Sequence, residues 1–349
     1  MRKELKNASI RLSEKLSRID LACSGISKVN QRSLDRQRQG MQHSLGIYAR
    51  LLDMSLGSNQ AALDRTVIVD YGGGSGTMSM MAKELGIGTV VYADVYDGSC
   101  ADAGRLGELL GLPIDHTVCG DIDELISYLS SNSICVNAVV SFDVIEHIYD
   151  VESHFEKLIA VPGRPIRFVY ASGANIANSR YVRKVTKLQL SAEFENDREQ
   201  HWGDWVSNRA FLDMRKEIIS AHEPKLNSKQ VNTLARRTRG LKRSYIEKCV
   251  DEYRETGEIT YEPSHPTNTC DPVTGNWCEH LMDPGWLLRT IKGMGFSVNV
   301  SPGLLPVFGP VHKKCAKLCV NAAIRTLGRR GFFLAHYYVV CADLDVNRP

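Results

Sequence analysis

The chain has 349 residues, of which 43% are hydrophobic and 24% charged, with a net charge of +3. This length suits one large domain or a domain with a sizeable insertion, and the composition is that of an ordinary soluble globular protein. The small net charge argues against a dedicated nucleic-acid binder. The ten cysteines are scattered, and Cys135 and Cys341 fall in apolar runs expected to be buried, so the chain reads as reduced and not as a disulfide scaffold. The opening run MRKELKNASIRLSEKL lacks the apolar centre of a signal peptide. No stretch reaches the roughly 18 to 20 uninterrupted apolar residues of a membrane helix. The expectation is a cytoplasmic chain with no membrane partner.

Residues 1–57 carry apolar positions at helical spacing. Leu12, Leu16, Ile19 and Leu21 form one stripe and Leu45, Tyr48, Leu51 and Leu52 another, giving two or three helices broken near Ser24 and Gly25. Strand and helix then alternate. TVIVD is a strand, TMSMMAKELG a helix closed by Gly86, TVVYAD a strand and GSCADAGRLGELLG a helix closed by Gly111. A short strand in IDHTVCGDI, a helix in DELISYLSS, a strand in CVNAVVSFD, a helix in DVESHFEKLIAV and a fifth strand in PIRFVYAS follow. This alternation predicts βαβ units and a parallel sheet.

At about Asn175 the pattern changes to long helical stretches, with a break near Gly240. Residues 261–280 form a loop rich in Pro, Asn and Thr, and Asp283 and Pro284 open another helix. FSVNVS and FFLAHYYVVCADL are strands, separated by a helix in VHKKCAKLCVNAAIRTLG.

The chemistry centres on DYGGGSG, residues 70–76, between the first strand and its helix. Glycines there allow a tight turn and let a ligand touch the backbone, and the helix start presents unbonded N–H groups. The nicotinamide spacing G-x-G-x-x-G is not met, because position 77 is Thr. The spacing Asp70-x-Gly72-x-Gly74-x-Gly76 resembles instead the first motif of class I S-adenosylmethionine (SAM)-dependent methyltransferases. Three further matches follow in order: Asp94 at the end of the second strand, CGDID with Asp121 and Ile122 after the third, and FDVIEH after the fourth. The last is similar to the D-x-[IL]-E-H form found in the small-molecule branch typified by ubiquinone-biosynthesis methyltransferases. The resemblance covers roughly residues 60–175 and 283–345.

It implies an α/β, Rossmann-like sheet of seven mostly parallel strands with the last antiparallel, and helices on both faces. An N-terminal helical lid (1–57), a SAM-binding core (58–175), a helical insertion serving as substrate lid (176–282) and a C-terminal completion of the sheet (283–349) are the expected divisions. It implies SAM as cofactor and S-adenosylhomocysteine (SAH) as product. Asp70, Gly72, Gly73, Gly74 and Gly76 would line the methionine and ribose, with Asp94 and Val95 on the ribose hydroxyls. Asp121 and Ile122 would hold the adenine, and Asp143 and Val144 would lie near the methionine end. The long 176–282 segment and the helix between the last two strands depart from the family pattern and leave the substrate open.

His147 is the first candidate general base, since imidazole titrates near neutrality, with Glu146 beside it. His201, Glu279 and His280 are candidates from the insertion. Asn268, Asp271, Asn276 and Trp277 would join Glu279 and His280 in a substrate loop, or that loop is merely well ordered. Tyr170 and Ser172 are expected at the pocket edge. Cys270, Cys278 and His280, even with Cys315 and Cys319, lack the paired C-x-x-C spacing of structural zinc sites, so no metal is expected. Cys315 and Cys319 read instead as the side of a helix that packs on the sheet. The basic run ARRTRGLKRSYIEK reads as a solvated helix face rather than a nucleic-acid site. The expected partners are a small-molecule acceptor and a second copy through the N-terminal helices. A SAM-dependent methyltransferase acting at O or N of a sugar or secondary metabolite heads the readings. A non-catalytic SAM-fold scaffold and, behind it, a nicotinamide-dependent oxidoreductase stay open.

Overall fold

The computed structural model describes residues 3–57, 62–197, 208–263 and 265–345. In chain order the elements are α1 (Lys3–Arg18), α2 (Lys28–Gln39), α3 (Met41–Leu56), β1 (Val67–Tyr71), α4 (Thr77–Leu85), β2 (Thr89–Asp94), α5 (Asp97–Leu110), β3 (His116–Cys119), α6 (Ile122–Ser131), β4 (Ala138–Phe142), α7 (Val151–Lys157) and β5 (Ile166–Ser172). Then come α8 (Ser179–Phe194), α9 (Phe211–His222), α10 (Ser228–Arg237), α11 (Arg243–Thr256), α12 (Pro284–Gly293), β6 (Ser297–Pro302), α13 (Val311–Thr326) and β7 (Tyr338–Leu344). The last strand begins later than FFLAHYYVVCADL suggests, because Phe332 and Phe333 belong to a 3-10 turn over Gly328–Phe333.

The chain divides into two compact units. The first comprises Met1–Ile145, Glu152–Gly173 and Pro284–Pro349; the second comprises Glu146–Val151 and Ala174–Asp283.

In the first unit the seven strands run in the order β3-β2-β1-β4-β5-β7-β6. β1 to β5 are mutually parallel, and β7 is antiparallel to both β5 and β6. Alternate residues face opposite sides of a sheet, so the buried central strands β2, β1, β4, β5 and β7 need apolar residues on both, while the edge strands β3 and β6 are more exposed. On one side Ile68, Val90, Val140, Val169 and Val339 share a core with the N-terminal helices. Leu12, Leu16 and Leu21 of one stripe and Leu45, Leu51 and Leu52 of the other are buried there, and Ile19 and Tyr48 are half-buried. On the other side Tyr71, His154, Phe155 and Tyr170 form an aromatic cluster, with Phe168 edge-on to Phe296 at 5.8 Å. Tyr170 is fully buried and its hydroxyl lies 3.0 Å from His154 Nε2, so it belongs to this core and not to a pocket edge. Ser172 is likewise buried.

In the second unit α9, α10 and α11 close over Ile219, Leu234, Ile246 and Val250. α10 starts with a capping box in which Asn227 Oδ1 accepts the Gln230 amide and Gln230 Oε1 accepts the Asn227 amide. Arg215 and Glu193 form a fully buried ion pair, and Glu193 also takes a hydrogen bond from Thr269 at 2.7 Å. Arg239 lies 3.5 Å from the same carboxylate. The basic run is thus partly spent inside its own unit, and its solvated-face reading holds only for its outer residues.

Of the cysteines expected inside, Cys341 is half-buried and packs against the core, whereas Cys135 is exposed and Cys315 and Cys319 are exposed on α13. An apolar run in a sequence fixes periodicity, but not which side of the element meets the core.

Candidate active site

β1 ends in Asp70 and Tyr71, and its chain turns through Gly72–Gly76 into α4. The turn is held by hydrogen bonds from Gly72 N to Ala93 O at 2.7 Å, from Gly76 N to Gly73 O at 2.8 Å, and from the Tyr92 hydroxyl to Gly74 O at 2.7 Å. Gly72 has φ +68°, and a side chain there would meet Val144 at 2.4 Å. Gly74 has φ +52°, and a side chain there would meet no protein atom within 4 Å. The turn is therefore closed on its inner side and open on the outer side at Gly74. Gly76, at the start of α4, has no side chain to cap it, and of the first-turn amides that of Ser79 is taken by Asp70 at 2.9 Å.

Acidic groups surround this opening. Asp70 is buried; its Oδ2 accepts the Ser79 amide at 2.9 Å and hydroxyl at 2.7 Å, while its Oδ1 is buried without a hydrogen-bond partner. Burial pushes the Asp70 carboxyl up to about 6, opposed by the two Ser79 bonds, with the Asp94 charge adding to the rise. Asp94, at the end of β2, accepts the Gly74 amide at 2.9 Å and the Tyr96 amide at 3.0 Å. Burial raises its carboxyl as well, against those same bonds. Val95, next along, is exposed.

The Gly120 amide donates to Asp94 O at 2.9 Å, which places the end of β3 beside β2. Asp121 then caps α6: its Oδ1 accepts the Asp123 amide at 2.7 Å, and Glu124 Oε2 accepts the Asp121 amide at 2.9 Å. Ile122 is the buried first residue of that helix. After β4, Asp143 adopts φ +55°, rare outside glycine, and its Oδ1 accepts the Gly173 amide at 3.0 Å. Val144 packs at Gly72. The eleven positions expected for the cofactor thus all lie at the C-terminal ends of β1 to β4, where open α/β sheets bind ligands.

Two neighbours of this edge were not singled out by the sequence. Gln37 of α2 accepts a hydrogen bond from Thr77 at 2.9 Å and reaches the Tyr48 hydroxyl at 3.3 Å. Tyr48 stands edge-on to Phe142 at 5.7 Å. Its hydroxyl is pushed well above the usual phenol range by burial, and the charges of Asp143 and Asp70 add to this. Tyr48 was visible only as one member of an apolar stripe.

The candidate bases lie in the second unit, where loop 268–282 grips the segment after Ile145. The His280 amide donates to Glu146 O at 2.9 Å and the Trp277 amide to His147 O at 3.3 Å. His147 Nδ1 lies 2.9 Å from the Trp277 carbonyl. A carbonyl only accepts, so Nδ1 carries the proton and Nε2 is the basic nitrogen. Trp277 Nε1 donates to Tyr149 O at 3.0 Å. Tyr245, Tyr149, Trp277 and His280 form one continuous stack, with centroid spacings of 6.1, 5.9 and 4.2 Å. Glu146 is buried. Glu279 adopts φ +56° and accepts the Tyr181 hydroxyl at 3.1 Å. His280 is pushed down to about 4 by burial, with His265 adding to the fall, so it is neutral at physiological pH. Glu146, His147, Glu279 and His280 are therefore brought together, and His201 lies outside the described residues.

Within that loop several polar residues serve its own backbone. Asn268 is buried and bridges to Leu281 and Gln189. Asp271 Oδ1 accepts the amides of Val273 and Thr274. Among the described residues no three His, Cys, Asp or Glu side chains converge to hold a metal.

The strand order, with its antiparallel β7 between β5 and β6, and the glycine turn at β1 define a class I methyltransferase fold, Rossmann-like, with N-terminal helices and a helical insertion after β5. No protein-family model and no curated protein matches the chain. Among solved structures it is similar to the plantazolicin methyltransferase BpumL in complex with SAH, at 10% identity over 98% of each chain with a TM-score of 0.42. A SAM-dependent methyltransferase from Archaeoglobus fulgidus is similar at 14% identity over 85% of this chain and 93% of that one, with a TM-score of 0.39. One from Mesorhizobium loti is similar at 12% identity over 86% and 98%, with a TM-score of 0.40. Likeness at this level identifies neither a substrate nor a reaction.

Proposed function

We propose that this chain binds SAM at the glycine turn and transfers its methyl group to an oxygen or nitrogen of a small molecule, a sugar or other secondary metabolite. The observation that carries the reading is the pairing of an open Gly74 with an unpartnered, buried Asp70 oxygen. A buried acceptor without a partner is costly, and a cationic ligand with N–H donors relieves that cost. SAM carries a sulfonium and an ammonium against one carboxylate, so it is net cationic, and it has N–H donors and a ribose diol. A pyrophosphate would instead meet Asp70 and Asp94, which counts against the nicotinamide reading.

When bound, SAM supplies an electrophilic methyl group on a sulfonium. The chain's part is to bind, orient and manage a proton. Asp94 would hold the ribose hydroxyls, a role supported by carboxylate lone pairs beyond those taken by Gly74 and Tyr96. The start of α6, at Asp121 and Ile122, suits the adenine. Asp70 answers the positive charge, and Asp143 and Val144 flank it. His147, its Nδ1 proton committed to Trp277, is the foremost candidate to take the acceptor's proton at Nε2. Glu146, Glu279 and His280 are the alternates.

Incubation with SAM labelled in its methyl group and a metabolite extract tests the reaction. Transfer of label to a small molecule, lost in Asp94→Ala, supports it. SAM binding without transfer to any extract would favour the non-catalytic scaffold.

A further inference from the structure

Between Asp283 and Asp343 the chain contains no Asp or Glu but eight Lys and Arg. Since the whole chain carries only +3, the rest is net acidic, and the basic charge is concentrated in one part of the first unit. Much of it sits on α13 and the turn that follows. Lys313, Lys314, Arg325, Arg329 and Arg330 are all exposed, and among the described residues none of them is in an ion pair. Lys317 is the exception in orientation: its Nζ lies 3.1 Å from the Phe308 ring centroid.

The same helix turns apolar residues outward. Val311, Cys315, Leu318 and Ala322 are spaced by four, three and four residues and so share one face, and all are exposed, Val311 at 75% and Leu318 at 54%. The opposite face anchors the helix. Asn321 holds both the amide and the carbonyl of Leu305 at 2.8 Å, and Ile324 is buried against Leu304 and Ala335. The outward face is thus held in place by contacts on its back. The turn adds Leu327, Phe333 and Leu334, exposed at 43%, 54% and 42%.

We propose that this face docks on an anionic lipid bilayer, lying at the interface and not crossing it. Among the described residues no helix is long and apolar enough to cross a membrane. An apolar stripe flanked by Lys and Arg is the pattern of an interfacial helix: the stripe enters the headgroup–acyl boundary while the cations meet lipid phosphates and carboxylates. Two other occupants fit less well. A second copy would oppose one basic face to another. Nucleic acid would satisfy the cations, but offers its phosphates nothing to do with Val311, Leu318 or Phe333. The expectation of no membrane partner was drawn from spanning length alone, and the sequence could not show that this helix turns its stripe to solvent.

The test is co-sedimentation of the full chain with vesicles of phosphatidylcholine alone or with roughly one third phosphatidylserine. Expected is binding to the anionic vesicles only, reduced at least tenfold by raising salt to about 0.5 M. The triple variant Lys314→Glu, Arg325→Glu, Arg329→Glu should lose at least tenfold in binding. The double variant Leu318→Ser, Phe333→Ser should also weaken it several-fold. All five side chains are exposed, and circular dichroism checks that both variants fold. The proposal is overturned if the wild type ignores anionic vesicles or if both variants pellet as it does. It is overturned equally if duplex DNA or polyglutamate binds as tightly and the double variant retains that binding. A dimer in solution that Leu318→Ser abolishes would show that a second copy covers the face.

Discussion

Asp70 commits one carboxylate oxygen to Ser79 and leaves the other unpaired. Oδ2 takes the Ser79 amide and hydroxyl, and Oδ1 is buried without a partner. Eight residues of chain, including the whole glycine turn, are closed between the two. The relationship fixes which edge of the carboxylate is spent on structure.

This has a consequence for pH. An acid whose carboxyl is raised on folding, here to about 6, takes up protons as the chain folds. Its contribution to stability is therefore present at low pH and lost as pH rises from about 4 to about 6. Asp94, also raised by burial, acts with the same sign. Asp70→Asn should remove about 2 kcal/mol of that loss, so its melting temperature at neutral pH should be no lower than that of the wild type. SAM binding has the opposite sign, because a cation favours ionised Asp70. Wild-type affinity should fall up to tenfold per pH unit below about 6, and Asp70→Asn should flatten this dependence and weaken binding at neutral pH. Calorimetric titrations between about pH 5 and 8 read both effects.

Gly72 and Gly74 predict opposite kinds of damage. Valine at 72 collides with Val144 and should cost several kcal/mol, enough to depress folding. Valine at 74 meets no protein atom and should cost only the strain of its positive φ, about 1–2 kcal/mol, while blocking the ligand. Thermal melts paired with SAM titrations separate the two.

Trp277 should be the keystone of its loop. Its ring is stacked on both sides, and it holds the main chain at His147 and Tyr149. Trp277→Ala should destabilise the second unit by roughly 3 kcal/mol. Trp277→Phe, which keeps a ring but loses the bond to Tyr149 O, should cost about 1 kcal/mol. Denaturant melts of the full chain measure both.

His147→Asn tests the choice of base. If Nε2 takes the acceptor's proton, turnover should fall about 100-fold or more with SAM affinity unchanged. An equal fall in Glu279→Gln with no change in His147→Asn would move the role to the insertion.

The strand–helix alternation was legible because buried parallel strands must be apolar throughout and are punctuated by Gly and Asp, as in TVIVD and TVVYAD. Asp94 and Asp121 were legible because they stand where those runs stop. Tyr48 and Gln37 were not, since nothing in a helical stripe says that a distant glycine turn lies beside it. The grip of loop 268–282 on Glu146 and His147 was also hidden, for it depends on main-chain hydrogen bonds across some 130 residues of sequence. Cys315 and Cys319 had the right spacing and the wrong side.

The central claim is met most directly by calorimetric titration of SAM into the wild type and Gly74→Val. The account predicts saturable binding at one site per chain for the wild type and none for the folded variant. Absence of binding to the wild type, or equal binding to both, would contradict it.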